Sequence, residues 1–174
     1  MAFENAVSSG LSQEVALICT YGFGLSYLGQ EWLHTNETPV HDRPILIIRE
    51  GSPPPINELL RAGRVFFWGD LDLAAISIFK ALQRAVPSLQ MSRIYESMLG
   101  MVRDGDLSHP YCHLFDKGGQ ARAETGESCD PLELDPTCQM LWRACKARAV
   151  DQEAVPEPTI RALGAHGLVL KAQE

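Results

Sequence analysis

The fold of this chain is decided by the stretch FFWGDLDLAAISI, which occupies residues 66–78. It begins inside the most hydrophobic run of the sequence, which we predict to be a strand over residues 64–69. After Gly69 the pattern changes, and apolar residues recur at helical spacing over residues 71–85. A buried strand that leads directly into an amphipathic helix is the repeating unit of an α/β fold.

The same alternation continues on both sides of this stretch. Further strands are predicted at residues 15–20, 44–49 and 89–94, and further helices at residues 25–33 and 56–61. Three strand–helix alternations in fewer than about 90 residues favour right-handed βαβ units and parallel strands. The second half is predicted to contain helices at 95–102, 137–150 and 157–165, a terminal strand at 167–170 and a loop-rich excursion at 104–136.

We therefore predict an α/β fold in which a central, mainly parallel sheet is flanked by helices. A length of 174 residues fits a single domain over residues 1–174, with its core at 15–95 and 137–174. The hydrophobic content of 45% is enough for an ordinary soluble core. No apolar run approaches the roughly 20 residues that cross a bilayer, and no secretion signal is found at the start, so we expect a cytoplasmic protein that does not contact membranes.

The cysteines and the net charge bear on three kinds of site: disulfides, a zinc site and a basic face for nucleic acid. The five cysteines are odd in number and lack C-x-x-C spacing, which favours reduced thiols. A zinc site built from Cys112, His113, Cys129 and Cys138 remains an alternative, although its spacing matches no standard structural pattern. The net charge of −7 argues against a domain that holds nucleic acid on a broad basic face.

Asp70 and Asp72 are the best candidates for chemistry. In open α/β sheets ligands bind beyond the carboxyl ends of the strands, where these two residues are predicted to lie. Carboxylate oxygens in pairs suit Mg²⁺ or Mn²⁺, which keep several waters of their own. A structural role is the alternative, since Asp72 is also placed to cap the following helix and Asp70 to bond local backbone amides.

The segment at residues 66–78 resembles the Toprim motif of the Wadjet JetD-like group, in which an aromatic-rich strand is followed by W-G-D-[LIF]-D. Residues 17–22 resemble the first Toprim strand and its loop, and residues 45–55 resemble the next strand and its glycine turn. Residues 150–156 resemble a late Q-E-x-[IV]-P segment of that group. The resemblance spans residues 15–156, and residues 96–148 contribute little to it.

This resemblance implies a fold, a cofactor and an activity. It implies a Toprim-like domain in which Asp70 and Asp72 bind Mg²⁺ or Mn²⁺. The implied activity is DNA strand cleavage in a bacterial anti-plasmid defence assembly, with DNA and protein subunits of a larger complex as partners. The metal would stabilise charge on the phosphate and orient the attacking group.

The chain departs from the Toprim pattern at the glutamate that ends the first strand. That position falls on Tyr21, or on Thr20 if the alignment shifts by one. Glu50 and Glu153 are the carboxylates that we predict to assist as ligand or base, whereas Glu14 lies at the wrong end of its strand. A degenerate, non-catalytic module that binds a protein partner is therefore the alternative function.

Two further groups have a weaker claim on function. Arg143, Lys146 and Arg148 form a basic stripe on a predicted helix, and we predict a weak contact with nucleic acid there or, alternatively, a solvated helix face. His109 lies in the loop-rich excursion, where it either contacts a phosphate or shapes the loop. A receiver-like phosphotransfer protein is a further alternative, but it requires a lysine at a later strand tip, and none is convincingly placed.

Overall fold

A computed structural model of the chain describes residues 2–19, 51–52, 54–110 and 131–169. Within these ranges the fold is mixed α/β, with six α-helices and two short two-stranded sheets. The helices are α1 (Ala2–Ser8), α2 (Ile56–Leu60), α3 (Leu73–Ala85), α4 (Ile94–Met101), α5 (Pro136–Cys145) and α6 (Glu157–Leu163). The strands are β1 (Val65–Phe67), β2 (Leu89–Met91), β3 (His109–Pro110) and β4 (Arg148–Ala149).

Strands β1 and β2 pair in parallel, with Phe66 opposite Gln90. Helix α3 connects them, as expected for a βαβ unit. Phe67 points into the core, where its ring lies 5.8 Å from the ring of Phe79 on α3. One face of this pair therefore packs against α3, and the carboxyl end of β1 leads into the Asp70–Asp72 turn.

A second pairing brings a distant part of the chain to that turn. Strands β3 and β4 run antiparallel, and Val150, directly after β4, forms an antiparallel bridge with Leu71. Leu71 is 1% exposed and Val150 is fully buried, so both side chains belong to the core. Residues 151–153 are thereby held beside residues 70–72.

Most of the predicted elements that fall on described residues are confirmed. The helices predicted at 56–61, 71–85, 95–102 and 157–165 and the strands predicted at 64–69 and 89–94 are present with shifted ends. The helix predicted at 137–150 ends at Cys145, because residues 148–150 form backbone contacts with β3 and with Leu71. Helix α1 was not predicted.

The strand predicted at residues 15–20 is wrong over its described part, 15–19, which has no strand structure. Val15, Leu17 and Ile18 instead pack half-buried against the core, and such apolar burial does not require a β ladder. The terminal strand predicted at 167–170 is reduced, in its described part, to one antiparallel bridge between Gly167 and Ser92. The elements predicted at 25–33 and 44–49 lie outside the described residues.

In the described ranges, parallel pairing is limited to β1 and β2. Of the excursion predicted at 104–136, the structure describes residues 104–110 and 131–136. These contain β3 and a 3₁₀ turn, Pro131–Glu133. None of the helices described is both long enough and apolar enough to cross a membrane.

Candidate functional site

Where β1 ends, Asp70 lies near enough to three other carboxylates for their charges to raise its pKa, and we call the set of four the acidic corner: Asp70, Asp72, Asp151 and Glu153. Its backbone is held by two hydrogen bonds between Leu71 and Val150, with N···O distances of 2.9 and 3.2 Å. Because Leu71 lies between the two aspartates, this bridge fixes the chain on which both are carried. The corner thus depends on contacts across about half of the sequence.

Asp70 is bound directly to the distant segment. The backbone N–H of Gln152 donates to Asp70 Oδ1 at 2.9 Å. Burial, together with the charges of Asp72, Asp151 and Glu153, raises the pKa of Asp70 to about 6 against the lowering effect of the Gln152 hydrogen bond. Asp70 is therefore a carboxylate that is partly desolvated and surrounded by like charge.

Asp72 has the structural role that the sequence offered as an alternative. It is the N-cap of α3, and its Oδ1 accepts a 2.6 Å hydrogen bond from the backbone N–H of Ala75. Burial nevertheless raises its pKa, Asp151 adds to that effect and His109 opposes it. A capping aspartate keeps a second carboxylate oxygen, so the cap does not use up its capacity to bind a cation.

His109 borders the corner. It lies on β3, and its Nε2 atom is 3.4 Å from Asp151 Oδ1, a distance that allows an ion pair when the imidazole is protonated. The same nitrogen is buried and has no well-aligned hydrogen-bond partner. The pair is therefore an electrostatic contact and not a well-aligned hydrogen bond. The role considered for His109 from sequence, a phosphate contact, stays a prediction.

Two buried side chains, Tyr95 and Cys145, lie close to the aspartates. The hydroxyl of Tyr95, on α4, accepts a 3.0 Å hydrogen bond from the backbone N–H of Gly69. Tyr95 is 1% exposed, and burial raises its pKa well above the usual value. Cys145 is buried nearby, and burial together with the charge of Asp72 raises its pKa to about 12. Both side chains stay neutral at physiological pH, so neither adds charge next to the aspartates.

The other predicted site residues are distributed as follows. Glu153 lies at the corner, and its Oε1 accepts a 3.2 Å hydrogen bond from the backbone N–H of Ala2. Glu50, Tyr21 and Thr20 lie outside the described residues. Asp151 was missed by sequence reasoning, although it directly precedes the Gln152–Glu153 pair that the resemblance singled out. Tyr95 carried no sequence signal that separates it from an ordinary core residue.

The chemistry of the corner fits a hard divalent cation held by few protein ligands. Mg²⁺ usually binds one or two carboxylates and completes its shell with waters and phosphate oxygens. Across the described ranges, no three His, Cys, Asp or Glu side chains are grouped closely enough to hold a metal ion by themselves. Asp70 and Asp72 therefore suit an open two-carboxylate site, not a closed structural one.

The remaining predicted sites are less compact. Of the alternative zinc set, Cys138 is fully buried on α5, and its three companions lie outside the described residues. Arg143 and Lys146 are exposed, as predicted for a solvated stripe. Arg148 is not on that wet face, because its guanidinium donates to the hydroxyl and carbonyl oxygens of Ser108 and to the carbonyl oxygen of Gly105. Its nucleic-acid contact remains a prediction that the loop contacts do not favour.

Comparison with known proteins adds no assignment. No protein-family model matches the chain, and no curated protein or solved structure matches it significantly. Any function for the acidic corner therefore has to be argued from its own residues and contacts.

Proposed function

We propose that the chain is a Toprim-like domain whose acidic corner binds Mg²⁺ or Mn²⁺ and cleaves DNA strands. In this proposal the domain belongs to a bacterial anti-plasmid assembly of the Wadjet JetD-like kind. The observation that carries the proposal is the 2.9 Å hydrogen bond from Gln152 to Asp70. It joins two segments that the resemblance singled out separately, and Gln152 directly precedes Glu153, whose charge acts on Asp70.

Electrostatics supports a cation at this corner. Partial burial of several carboxylates together is unfavourable, and the raised pKa of Asp70 records that cost. A divalent cation offsets it by replacing water and by neutralising like charge. Within the described chain, His109 supplies a favourable charge to Asp72, and it does so only when protonated. Backbone hydrogen bonds and His109 offset this cost only in part, and a bound cation would offset the rest.

The residues of the corner have separable tasks in this proposal. Asp70 and Asp72 hold the metal, which when bound would polarise a phosphate and orient an attacking water. Glu153 lies close enough to act on the charge of Asp70, and it assists as a further ligand or as a base. Glu50 keeps the same predicted role from sequence. Tyr95 fixes Gly69, and with it the backbone that presents Asp70.

A non-catalytic docking module is the second candidate, and two observations favour it. Asp72 Oδ1 is already used as a helix cap at 2.6 Å, and Tyr21 occupies the position where the Toprim pattern has glutamate. Loss of one of three carboxylates weakens metal affinity. In that case the corner would no longer bind a metal, and the domain would act by binding a protein subunit.

Plasmid nicking in Mn²⁺ separates the two candidates. The wild type should convert supercoiled plasmid to the open circle, and Asp70→Asn, which still accepts the Gln152 hydrogen bond, should not. Asp106→Asn, which alters an exposed aspartate elsewhere, is the matched control and should nick normally. Nicking that persists in Asp70→Asn contradicts the metal mechanism, whereas a wild type that never nicks leaves the docking module as the better account.

A further inference from the structure

A groove of about 370 Å³ opens on the face of the β1–β2 pair that carries Phe66 and Gln90. Arg64, Arg93 and His166 also line it. This groove is distinct from the acidic corner, whose residues do not line it. The groove brings cationic and aromatic side chains together on a chain whose net charge is −7. This local positive charge on an acidic chain indicates an anionic ligand.

Arg64 is held in position at the groove. Its Nη2 donates to the carbonyl oxygen of Ala165 at 2.9 Å, and its guanidinium carbon lies 6.0 Å from the centre of the Phe66 ring. The contact with Ala165 restrains a side chain that would otherwise be free to rotate in solvent. Less conformational entropy is then lost when this guanidinium binds an anion.

The opposite side of the groove is attached to the sheet by backbone hydrogen bonds. The N–H of Arg93 donates to the carbonyl oxygen of His166 at 2.8 Å, and that of Leu168 donates to Met91 at 2.8 Å. A Cβ atom on Gly167 would lie 2.7 Å from Gln90 Oε1 and 3.1 Å from an edge carbon of Phe66. Glycine at this position therefore keeps the Phe66 ring and the Gln90 amide in their places on the groove floor.

Glu96 reduces the positive charge of this groove without removing it. Arg93 Nε donates to Glu96 Oε2 at 2.8 Å, and both side chains are partly exposed. An exposed pair of this kind is weak in water, so a phosphate competes with it for the guanidinium. The charge available to a ligand therefore comes mainly from Arg64, with a contribution from Arg93.

We propose that this groove binds single-stranded DNA. Arg64 and Arg93 contact successive phosphates, a base stacks on Phe66, and the Gln90 amide hydrogen-bonds the edge of that base. A cationic groove with an aromatic side chain is typical of sites that bind single strands, whereas a duplex requires a broad basic face that this acidic chain is not expected to have.

The inference deepens the proposed function and rests on it, because it names the path of the strand to be cut. Phe66 precedes Asp70 by four residues, so at most about 14 Å of extended chain separates the groove from the acidic corner. A strand bound in the groove can therefore reach the proposed metal site within a few nucleotides.

Binding can be measured without cleavage. The probe is a fluorescein-labelled oligothymidylate of about 16 nucleotides, and anisotropy is recorded in EDTA with the full chain over a series of salt concentrations. The slope of log K against log salt is negative, and R64Q/R93Q should make it shallower by about 1.4, because each phosphate contact on a single strand contributes about 0.7 to its magnitude. Phe66→Ala should weaken binding at least about fivefold, and Phe66→Leu, which keeps apolar bulk but not the ring, should also weaken it.

Controls keep the outcome interpretable. Arg64→Lys keeps the positive charge and should therefore keep most of the wild-type salt dependence, which shows that the loss in R64Q/R93Q is a loss of charge and not of folding. Arg103→Gln removes an exposed arginine that lies outside both the groove and the basic stripe, and it should bind like wild type. Thermal unfolding followed by circular dichroism identifies any variant whose loss is a loss of structure.

The result can contradict either proposal separately. Wild-type affinity in R64Q/R93Q and Phe66→Ala overturns the groove, as does an equal loss in Arg103→Gln. Equal displacement of the oligonucleotide by polyglutamate also overturns it, because the groove would then recognise negative charge alone. If the groove variants lose binding but the wild type never nicks plasmid, the groove stands and the proposed cleavage fails.

Discussion

The hydroxyl of Tyr95 accepts a 3.0 Å hydrogen bond from the backbone N–H of Gly69, one residue before Asp70. Tyr95 thereby ties helix α4 to the turn that carries the acidic corner. Its ring is buried, so the hydroxyl cannot be replaced by water without a rearrangement. The buried, neutral Tyr95 side chain therefore helps to hold this turn in place.

Tyr95→Phe tests that support. The change leaves the Gly69 N–H without its partner in a buried setting, and we expect the free energy of unfolding to fall by about 1–3 kcal/mol. Urea denaturation monitored by tryptophan fluorescence measures it. Ser77→Ala, which removes a hydroxyl that donates within its own helix, is the control and should change stability much less. Equal losses in the two variants would show that Tyr95 has no special role at the turn.

Asp70→Asn tests the electrostatic cost of the corner. Its carboxyl has a pKa of 3.8 in its reference state and about 6 in the folded chain. Between these values the folded chain binds more protons than the unfolded chain, so the free energy of unfolding falls as pH rises through this window. Above about pH 6 the full penalty remains, and below about pH 3.8 it is absent.

The variant carries no such penalty, since an amide does not ionise. We therefore expect Asp70→Asn to be more stable than wild type at pH 7 in EDTA, by roughly 1–2 kcal/mol after allowance for solvent screening. The gain should vanish near pH 3.5, and denaturation curves at several pH values measure it. If the gain in stability is the same at every pH, its cause is packing and not charge.

Asp72 is tested by separating its cap from its charge. Asp72→Ala should lose about 1 kcal/mol of stability with the cap, whereas Asp72→Asn keeps an N-cap residue and should lose little. Both should lose Mn²⁺ affinity. Asp135→Ala is the matched control, because Asp135 caps α5 through a 3.0 Å hydrogen bond from Cys138 and lies outside the corner. Normal Mn²⁺ binding in Asp72→Asn would leave capping as the whole role of Asp72.

Arg148 is predicted to stabilise the loop that carries His109. Arg148→Gln removes its contacts with Ser108 and Gly105, and we expect a loss of about 1–3 kcal/mol because the guanidinium is partly buried. Lys146→Gln, two residues earlier on an exposed position, should change stability by less than about 0.5 kcal/mol. Similar small losses of stability in both variants would show that Arg148 is part of a solvated stripe, as its sequence spacing suggested.

The βαβ unit around Asp70 was predictable because its signals are local. The aromatic strand, the glycine and the helical spacing after Leu73 all act within about twenty residues, and α3 forms as predicted. Helix α5 shows the opposite case. Its pattern continues past Cys145, but tertiary pairing of residues 148–150 with β3 and Leu71 overrides helix propensity.

The corner itself was predictable in part. The spacing of Asp70 and Asp72 indicated paired carboxylates, and the late Q-E segment suggested Glu153. The contribution of Asp151 and the support by Tyr95 depend on contacts across 81 and 26 positions, which no local pattern records. The strand predicted at residues 15–20 was wrong where it is described, since a short apolar run is compatible with several buried conformations.

Mn²⁺ binding at the acidic corner tests the central claim most directly. Each of three proteins, the wild type, Asp70→Asn and the control Asp106→Asn, is titrated with Mn²⁺ between pH 5 and pH 8. Electron paramagnetic resonance measures the free Mn²⁺, and the bound Mn²⁺ follows by difference. We predict one site in the wild type and in the control, with an affinity that rises through about pH 6 as the proton leaves Asp70, and no such site in Asp70→Asn. Binding that is equal in all three proteins, or independent of pH, would contradict a cation held by Asp70.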